Sequence, residues 1–246
     1  MSLPVHLVPT LADVTPGSSV TVEGDEAHHA VAVRRLRVGE SVVLTDGAGV
    51  SVVGSVASTG KRVFTVTVAT VASAPAPAPS FTVVQALPKG ERGELAVEVL
   101  TEIGVSTVVP WAASRSVAVW KGERAEKSLA KWRATAREAA KQARRAWFPE
   151  VAPLASTADV VAHIGAAPVA VVLHEEATAP LSAVDLPTDG EIVVVVDPEG
   201  GLSPEEVVAF EAAGAVTVRL GTEVLRTSTA GVAAVSALLA RTSRWA

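Results

Sequence analysis

The stretch "DPEGGLSPEE" places an acidic side chain and two glycines directly after a run of β-branched residues. Ile192–Val196 is typical of a buried strand, and Asp197 begins the turn that ends it. Gly200 and Gly201 carry no Cβ atom, so a small or flat ligand could approach the backbone closely. Taken alone, the glycine pair fits a tight strand–helix turn without a ligand better than it fits a ligand-binding turn.

The residues after the glycines predict the first turn of a helix. Ser203 is a preferred N-cap, Pro204 fits the first helical position, and Glu206 completes a capping box. The stretch lacks the Gly-x-x-x-x-Gly-Lys and Gly-x-Gly-x-x-Gly patterns. A nucleoside triphosphate site and a nucleotide-dependent oxidoreductase are therefore poorly supported.

A second loop follows a later apolar strand and contains an arginine. In "RLGTEVLRTSTAGVAAVSALLA" the strand is predicted to end at Leu220, Gly221 opens the loop, and Arg226 and Thr227 lead into a helix. Small residues dominate this helix, which favours close packing against a neighbour.

The elements that would position these loops alternate between strands and helices. The stretches "FTVVQAL", "STVVP", "PVAVVL", "EIVVVV" and "AVTVRL" are almost continuously apolar, as strands of a parallel sheet are when both faces are buried. Helices are predicted over Glu91–Ile103 and Leu129–Trp147. Ligands of such α/β sheets bind beyond the carboxyl ends of the strands, where both loops fall.

The amino-terminal part has a different pattern. Residues 1–72 contain short strands with alternating polarity and glycine turns, which predicts a small β-barrel or sandwich. The Ala/Pro segment 73–80 predicts an extended linker, because alternating proline cannot join a sheet ladder. Residues 81–246 then form the predicted α/β domain.

The charge distribution leaves nucleic acid open as a partner although the net charge is −5. A basic segment runs from Lys121 to Arg145, and "HHAVAVRRLRVGE" brings three arginines together. Local basic surfaces of this kind can bind phosphate, but a merely solvated helix face is about equally compatible with the pattern.

Several classes of protein are excluded or disfavoured. The absence of cysteine excludes disulfides, iron–sulfur clusters and thiol nucleophiles, and the five histidines show no metal-ligand spacing, so no metal is expected. The sequence has neither a signal-peptide pattern nor an apolar run long enough to cross a bilayer. We expect a cytoplasmic protein that is not associated with membranes.

The two loops together, "DPEGGLSPEE" and then "LGTEVLRTSTA", resemble the RsmE family of ribosomal RNA methyltransferases within the SPOUT superfamily. "HHAVAVRRLRVGE" and "LTDGAG" are similar to the family's amino-terminal RNA-binding barrel. "PKGERGELAVEVLTEIGVSTVVPWAASRSV" and "WRATAREAAKQARRAWFPEV" are similar to its first strand–helix–strand segment and its long basic helix. The resemblance covers nearly the whole chain. The chain departs from the family's usual residues at Val99, Asp197, Glu223 and Ser228.

The resemblance implies an α/β fold with a SPOUT-type deep trefoil-knot methyltransferase domain, preceded by a PUA-like β-barrel. It also implies a homodimer that uses S-adenosylmethionine to methylate uridine N3 in the 16S RNA of the small (30S) ribosomal subunit. The implied cofactor-binding residues lie in three loops: Leu173, His174, Glu175, Val196, Asp197, Pro198, Glu199, Gly200, Gly201, Leu220, Gly221, Leu225, Arg226 and Thr227.

Residues that could act on the nucleobase and bind the RNA follow from the same resemblance. Uridine N3 must lose a proton, so cationic donors or a general base are needed, and the candidates are Arg226, Arg115 and Glu199. The implied RNA-binding residues are Arg34, Arg35, Arg37, Lys89, Arg115, Lys141, Gln142, Arg144 and Arg145. Two alternatives remain: a SPOUT methyltransferase for another RNA, and a non-catalytic RNA-binding assembly factor.

Overall fold

The computed structural model describes residues 3–245, which separate into two compact units. The first unit runs to Ala76 and also includes Lys141–Phe148, whereas the second contains Pro77–Ala140 and the chain from Pro149 onward. Among the described residues, no helix combines the length and apolarity that a membrane crossing requires.

The first unit is built on a five-stranded sheet with the order β1-β3-β4-β5-β2. All neighbouring pairs are antiparallel except β1 and β3. Alternate side chains of these strands, such as Leu44 and Phe64, are fully buried in one core, as the alternating pattern predicts. The strands are β1 (Val5–Leu7), β2 (Ser19–Glu23), β3 (Ser41–Thr45), β4 (Val50–Thr59) and β5 (Val63–Ser73).

A helical segment follows β2 and was not predicted from the sequence. The short helix α1 (Gly24–His28) continues into a π-helical turn, His29–Val33. It buries Ala27 and Ala30, whose small side chains give too weak a periodic signal for a helix to be recognised. The chain then leaves the core with its arginine cluster exposed at Arg34, Arg35 and Arg37.

The segment Lys141–Phe148 packs into the first unit through an ion-pair network and an indole. The Lys141 Nζ and Glu26 lie 3.0 Å apart, and Glu26 lies 3.1 Å from Nδ1 of His6. Burial alone would raise the pKa of Glu26, but hydrogen bonds from His6 and Lys141 hold it below its usual value. Trp147 donates its Nε1–H to the Ala74 carbonyl at 2.9 Å, so the segment is fastened at both ends.

The second unit contains a six-stranded, wholly parallel sheet with the order β11-β9-β10-β6-β7-β8. Its central strands are buried on both faces, which confirms the parallel α/β sheet predicted from their apolar runs. The strands are β6 (Ser80–Ala86), β7 (Thr107–Trp111), β8 (Glu150–Val151), β9 (Val169–Leu173), β10 (Glu191–Val196) and β11 (Val216–Val218).

Helices cover both faces of this sheet. One core contains residues of α2, α3 and α6 together with Val83 and Val194, and the other contains residues of α4 and α5 together with Val84 and Val195. The helices are α2 (Arg92–Glu102), α3 (Glu123–Gln142), α4 (Thr157–Ala166), α5 (Pro204–Ala212) and α6 (Thr227–Leu239).

The predicted span of the long basic helix was wrong at both ends. Helix α3 begins at Glu123 rather than Leu129, because its polar first turns consist of good helix formers with acidic residues near the amino end. It ends at Gln142 rather than Trp147, and Arg144 adopts a left-handed conformation with φ of 54°. The chain turns there, and the following residues pack on the first unit, where the Ala146 carbonyl accepts from the Gly49 N–H at 3.0 Å and the Phe148 N–H donates to the Gly47 carbonyl at 2.8 Å.

Helix α6 packs as closely as its small residues predict. A Cβ atom on Gly231 would lie 3.2 Å from Cγ2 of Val196 and 3.4 Å from Cδ2 of Leu100. The helix therefore lies directly on the end of β10 and on α2, and this contact fixes where its first turn emerges beside the glycine loop.

Candidate functional site

Three loops at the carboxyl edge of the parallel sheet enclose two cavities of about 700 and 330 Å³. The loops follow β9, β10 and β11, which are neighbours in the sheet although they are distant in sequence. Volumes of this size are typical of small-molecule sites. The structure thus brings both chemistry-bearing stretches of the sequence to one place.

The larger cavity is lined by the glycine loop and by the start of α6. Pro198, Glu199, Gly200 and Gly201 contribute from the glycine loop, and Arg226 and Thr227 contribute from α6. The smaller cavity is lined by Leu173, Leu220 and Gly221. His174, Glu175, Asp197 and Leu225 line both.

Val196 is the one predicted cofactor-binding residue that lines neither cavity. Its side chain is fully buried at the end of β10, where it contacts Gly231 of α6. The side chain of Val196 therefore contributes to the site by packing against α6 and does not line a cavity.

The two glycines of the loop serve different purposes. Gly201 has a φ of 70°, and no atom lies within 4 Å of the position a Cβ would take, so its backbone conformation is what requires glycine. A Cβ on Gly200 would lie 2.9 Å from the carbonyl oxygen of Arg115. Gly200 therefore lets the loop after β7 approach, and Arg115 Nη1 donates to the Gly200 carbonyl at 3.4 Å.

Glu206 joins these two loops through its carboxylate. The predicted capping box with Ser203 is confirmed. The buried carboxylate also accepts hydrogen bonds from the Ser114 N–H at 2.8 Å and from the Ser114 hydroxyl at 3.0 Å. These hydrogen bonds position Ser114, the residue before Arg115. They were not predicted from the sequence because no local pattern relates positions so far apart.

A second buried network fixes the start of α6. The Thr227 hydroxyl donates to the Asp197 carbonyl at 2.6 Å and accepts from Gln85 Nε2 at 3.0 Å. Gln85 lies near the carboxyl end of β6, so the network connects β6, β10 and α6. Arg226, the N-cap of α6, is positioned beside the cavity by this attachment.

Glu199 is partly engaged by neighbouring groups. Its Oε1 accepts a hydrogen bond from the Lys89 N–H at 3.1 Å and lies 3.6 Å from Arg92 Nη1. Both contacts use the same oxygen, which leaves Oε2 as the atom that could face a substrate.

Asp197 has the most perturbed carboxyl group of the site. Burial, with added repulsion from Glu175 and Glu199, raises its pKa from 3.8 to about 6 against the opposing effects of its own backbone N–H and of His174. The sequence indicated a cofactor-loop position for Asp197, but it could not reveal the burial that changes its titration.

The predicted RNA-binding residues differ in their exposure. Besides the arginine cluster of the first unit, Gln142 and Arg144 are exposed on that unit, while Lys89 and Arg115 are exposed on the second. Arg145 is half-buried. Lys141 is 8% exposed and paired with Glu26, so its ammonium is committed to the core of the first unit and is not presented to a phosphate.

Comparison with known proteins shows the same two-part organisation. Residues 75–239 match the model of an RNA methyltransferase domain, and residues 22–69 match an RNA methyltransferase PUA domain. The chain is 45% identical over 242 residues to ribosomal RNA small subunit methyltransferase E of Mycobacterium bovis, covering 97% of this chain and 92% of the relative. The Bacillus subtilis protein of that name is 28% identical over 237 residues, or 93% of each chain.

A solved structure gives the same result at the level of the fold. The crystal structure of the Neisseria gonorrhoeae ribosomal RNA small subunit methyltransferase E, bound to S-adenosyl methionine, superposes with a TM-score of 0.87. The two chains are 25% identical, and the match covers 98% of each.

Proposed function

The chain belongs to the ribosomal RNA small subunit methyltransferase E family, and we propose that it transfers a methyl group from S-adenosylmethionine to N3 of a uridine in 16S ribosomal RNA. The single observation that carries the proposal is the convergence of three loops on two adjoining cavities at the carboxyl edge of the sheet. The RNA substrate is supported by the PUA domain match.

The residues present fit the cofactor. Around Gly221 the space is open, since the nearest atom to a Cβ there would be Glu223 Oε2 at 3.6 Å, and Gly201 is open as well. Backbone groups of these loops, with the apolar side chains of Leu173, Leu220 and Leu225, would hold the adenine. The charged groups of the larger cavity would face the amino-acid end and the RNA base.

The chemistry divides between the cofactor and the chain. When bound, S-adenosylmethionine supplies a methyl group on a cationic sulfur, and the sulfur keeps the bonding electron pair as N3 takes the methyl. Arg226 and Arg115 would donate hydrogen bonds to the uridine oxygens and stabilise negative charge as N3 loses its proton. Glu199 would accept that proton through Oε2. Orientation of the base in the cavity would contribute much of the rate.

Both units would hold the RNA. The PUA-like unit, predicted over residues 1–72, would contact phosphates through Arg34, Arg35 and Arg37, with Gln142, Arg144 and Arg145 from the segment packed on it. In the methyltransferase domain, predicted over residues 81–246 after the 73–80 linker, Lys89 and Arg115 would do the same. Removal of the target uridine from its stack would let the cavity enclose the base.

We also propose that the active form is a homodimer and that the assembled 30S subunit is the substrate. The dimer follows from the family resemblance and is tested by sedimentation at micromolar concentration. Equal activity on protein-free 16S RNA would contradict the proposal that the assembled 30S subunit is the substrate.

The decisive experiment is methyl transfer from labelled S-adenosylmethionine to undermethylated 30S subunits, with the product nucleoside identified by mass spectrometry. We expect a single N3-methyluridine in 16S RNA. Arg226→Ala should lower the transfer rate by about 100-fold even at saturating S-adenosylmethionine, and Arg62→Ala, an exposed arginine of the first unit, serves as the matched control. Cofactor binding without transfer would indicate another RNA. Neither binding nor transfer would favour a non-catalytic RNA-binding factor.

A further inference from the structure

Asp197 is an acidic residue that lines both cavities of the site. The larger cavity also contains Arg115 and Arg226, and the smaller one contains the apolar side chains of Leu173 and Leu220 beside the charged residues Arg219 and Glu223. Asp197 thus lies at the boundary between the region suited to a base or anion and the region suited to adenine.

Among the described residues, the carboxylate of Asp197 combines partial burial with the absence of a partner, whereas Glu175, which also lines both cavities without a partner, is exposed. Within residues 3–245 the Asp197 carboxylate forms no ion pair and no hydrogen bond to another residue, whereas Glu199 is paired with Arg92 and Glu206 is bonded to Ser114. Its backbone carbonyl, by contrast, accepts the Thr227 hydroxyl, so the main chain at this point is fixed. A partly buried carboxylate without a partner destabilises the folded protein when it is ionised, unless a cation lies beside it.

The charged groups around Asp197 come from every loop of the site. His174, Glu175 and Glu176 follow β9, and Glu199 belongs to the same loop as Asp197. Arg219 and Glu223 follow β11, and the larger cavity is also lined by Arg92, Arg115 and Arg226. Burial and the carboxylates of Glu175 and Glu199 raise the pKa of Asp197, and the arginines do not form a contact that would lower it. A group perturbed in this direction gains more from a cationic ligand than an ordinary surface carboxylate does.

We infer that Asp197 is the counter-charge for the sulfonium centre of S-adenosylmethionine and lets the site distinguish this cationic donor from the neutral product, S-adenosylhomocysteine. The inference rests on the proposed function. The sulfonium is the atom that links adenosine to the amino-acid end and must also face the acceptor base. Of the two acids that line both cavities, Asp197 is partly buried and Glu175 is exposed, so Asp197 is the one placed to contact it out of water.

The assignment explains how one site can bind the methyl donor, S-adenosylmethionine, and release its product, S-adenosylhomocysteine. Methyl transfer removes the positive charge from sulfur and leaves every other group of the cofactor unchanged. The attraction to Asp197 is then lost, and the carboxylate returns to its unpaired state. Product dissociation is thereby favoured without any movement of the loops.

Calorimetric binding to the full-length protein tests the inference directly. The ligands are S-adenosylmethionine, S-adenosylhomocysteine and sinefungin, which carries an ammonium group in place of the methylsulfonium. For the wild-type protein we expect affinity for both cationic ligands to rise about tenfold from about pH 5 to about pH 7, while affinity for the neutral product changes by less than about twofold.

The isosteric variant Asp197→Asn should bind the two cationic ligands about tenfold more weakly near pH 7 and lose the pH trend. Its affinity for S-adenosylhomocysteine should remain within about twofold of the wild type. Asp185→Asn, an exposed aspartate of the same unit outside both cavities, is the matched control. Retained thermal stability of Asp197→Asn shows that it is folded.

An equal loss of affinity for all three ligands would overturn the assignment, because Asp197 would then contact a part that donor and product share. Unchanged affinities would overturn it as well. In both cases the wild-type protein still binds the cofactor, so the proposed function stands. Failure of the wild-type protein to bind any of the three ligands would instead contradict the proposed function itself.

Discussion

At the scale of single residues, the unpaired carboxylate of Asp197 is expected to destabilise the ligand-free protein. Folding raises its pKa from 3.8 to about 6, so the ionised form costs stability above about pH 6, and the cost disappears as the pH falls below about 4. Asp197→Asn should therefore raise the free energy of unfolding near pH 7.5 by about 1 to 3 kcal/mol. Urea unfolding at both ends of this pH range measures the difference, and a stability gain that persists unchanged at pH 4 would contradict the explanation.

The residues of the site were predictable where the chemistry depends on local sequence. The capping box of Ser203 and Glu206 and the loop position of Arg226 follow from patterns a few residues long. The contact of Glu206 with Ser114 and the burial of Lys141 depend on partners far away in sequence, and no residue pattern encodes them. The sequence therefore identified the candidate functional side chains. The fold determined which of them are exposed to a ligand and which are held by partners within the protein.

At the scale of elements, one hydroxyl, that of Thr227, links the first turn of α6 to β6 and β10. Replacing Thr227 with Val keeps the shape of the side chain but leaves the Asp197 carbonyl and the Gln85 amide without this partner in a buried place. We expect a loss of about 1 to 3 kcal/mol in the free energy of unfolding. Thr227→Ser, which retains the hydroxyl, should lose less than half as much. Hydrogen exchange of the first-turn amides of α6 measures the local effect, and equal losses in both variants would contradict it.

Strands and helices also differed in how well they could be predicted. Five of the six strands of the parallel sheet lie in nearly continuous apolar runs, and these five were located because burial leaves a signal within a few residues. The strand β8, which contains only Glu150 and Val151, was not predicted because two residues are too few to form such a run. Helix α3 was misplaced because its first turns are polar on all sides and its end is set by packing of Trp147 against Ala74 and Gly49. A helix end that tertiary contacts determine has no signature in the helix itself.

At the scale of the whole molecule, the segment Lys141–Phe148 is tied to the first unit by a buried ion pair. Lys141→Met leaves Glu26 without its ammonium partner, and a loss of about 2 kcal/mol in that unit's free energy of unfolding is expected near pH 7. Because the pKa of Glu26 is lowered on folding, the stabilisation is present above its usual value of 4.5 and is lost as the pH falls through the folded value. Lys127→Met, which removes the exposed pair with Glu123, should change stability by less than about 0.5 kcal/mol, and thermal unfolding of both variants compares them.

The molecule as a whole is acidic, so its affinity for RNA must come from local clusters of positive charge. Each phosphate that an arginine neutralises releases counterions, and binding then weakens with salt in proportion to the number of such contacts. Changing Arg34, Arg35 and Arg37 to Gln should reduce the slope of log affinity against log salt by about 2 to 3 for 16S RNA. Lys61→Gln, an exposed lysine of the same unit, should leave the slope within about 0.3 of wild type. An unchanged slope in the triple variant would show that the exposed cluster faces solvent in the complex, and the RNA-binding role of the first unit would then require a different surface.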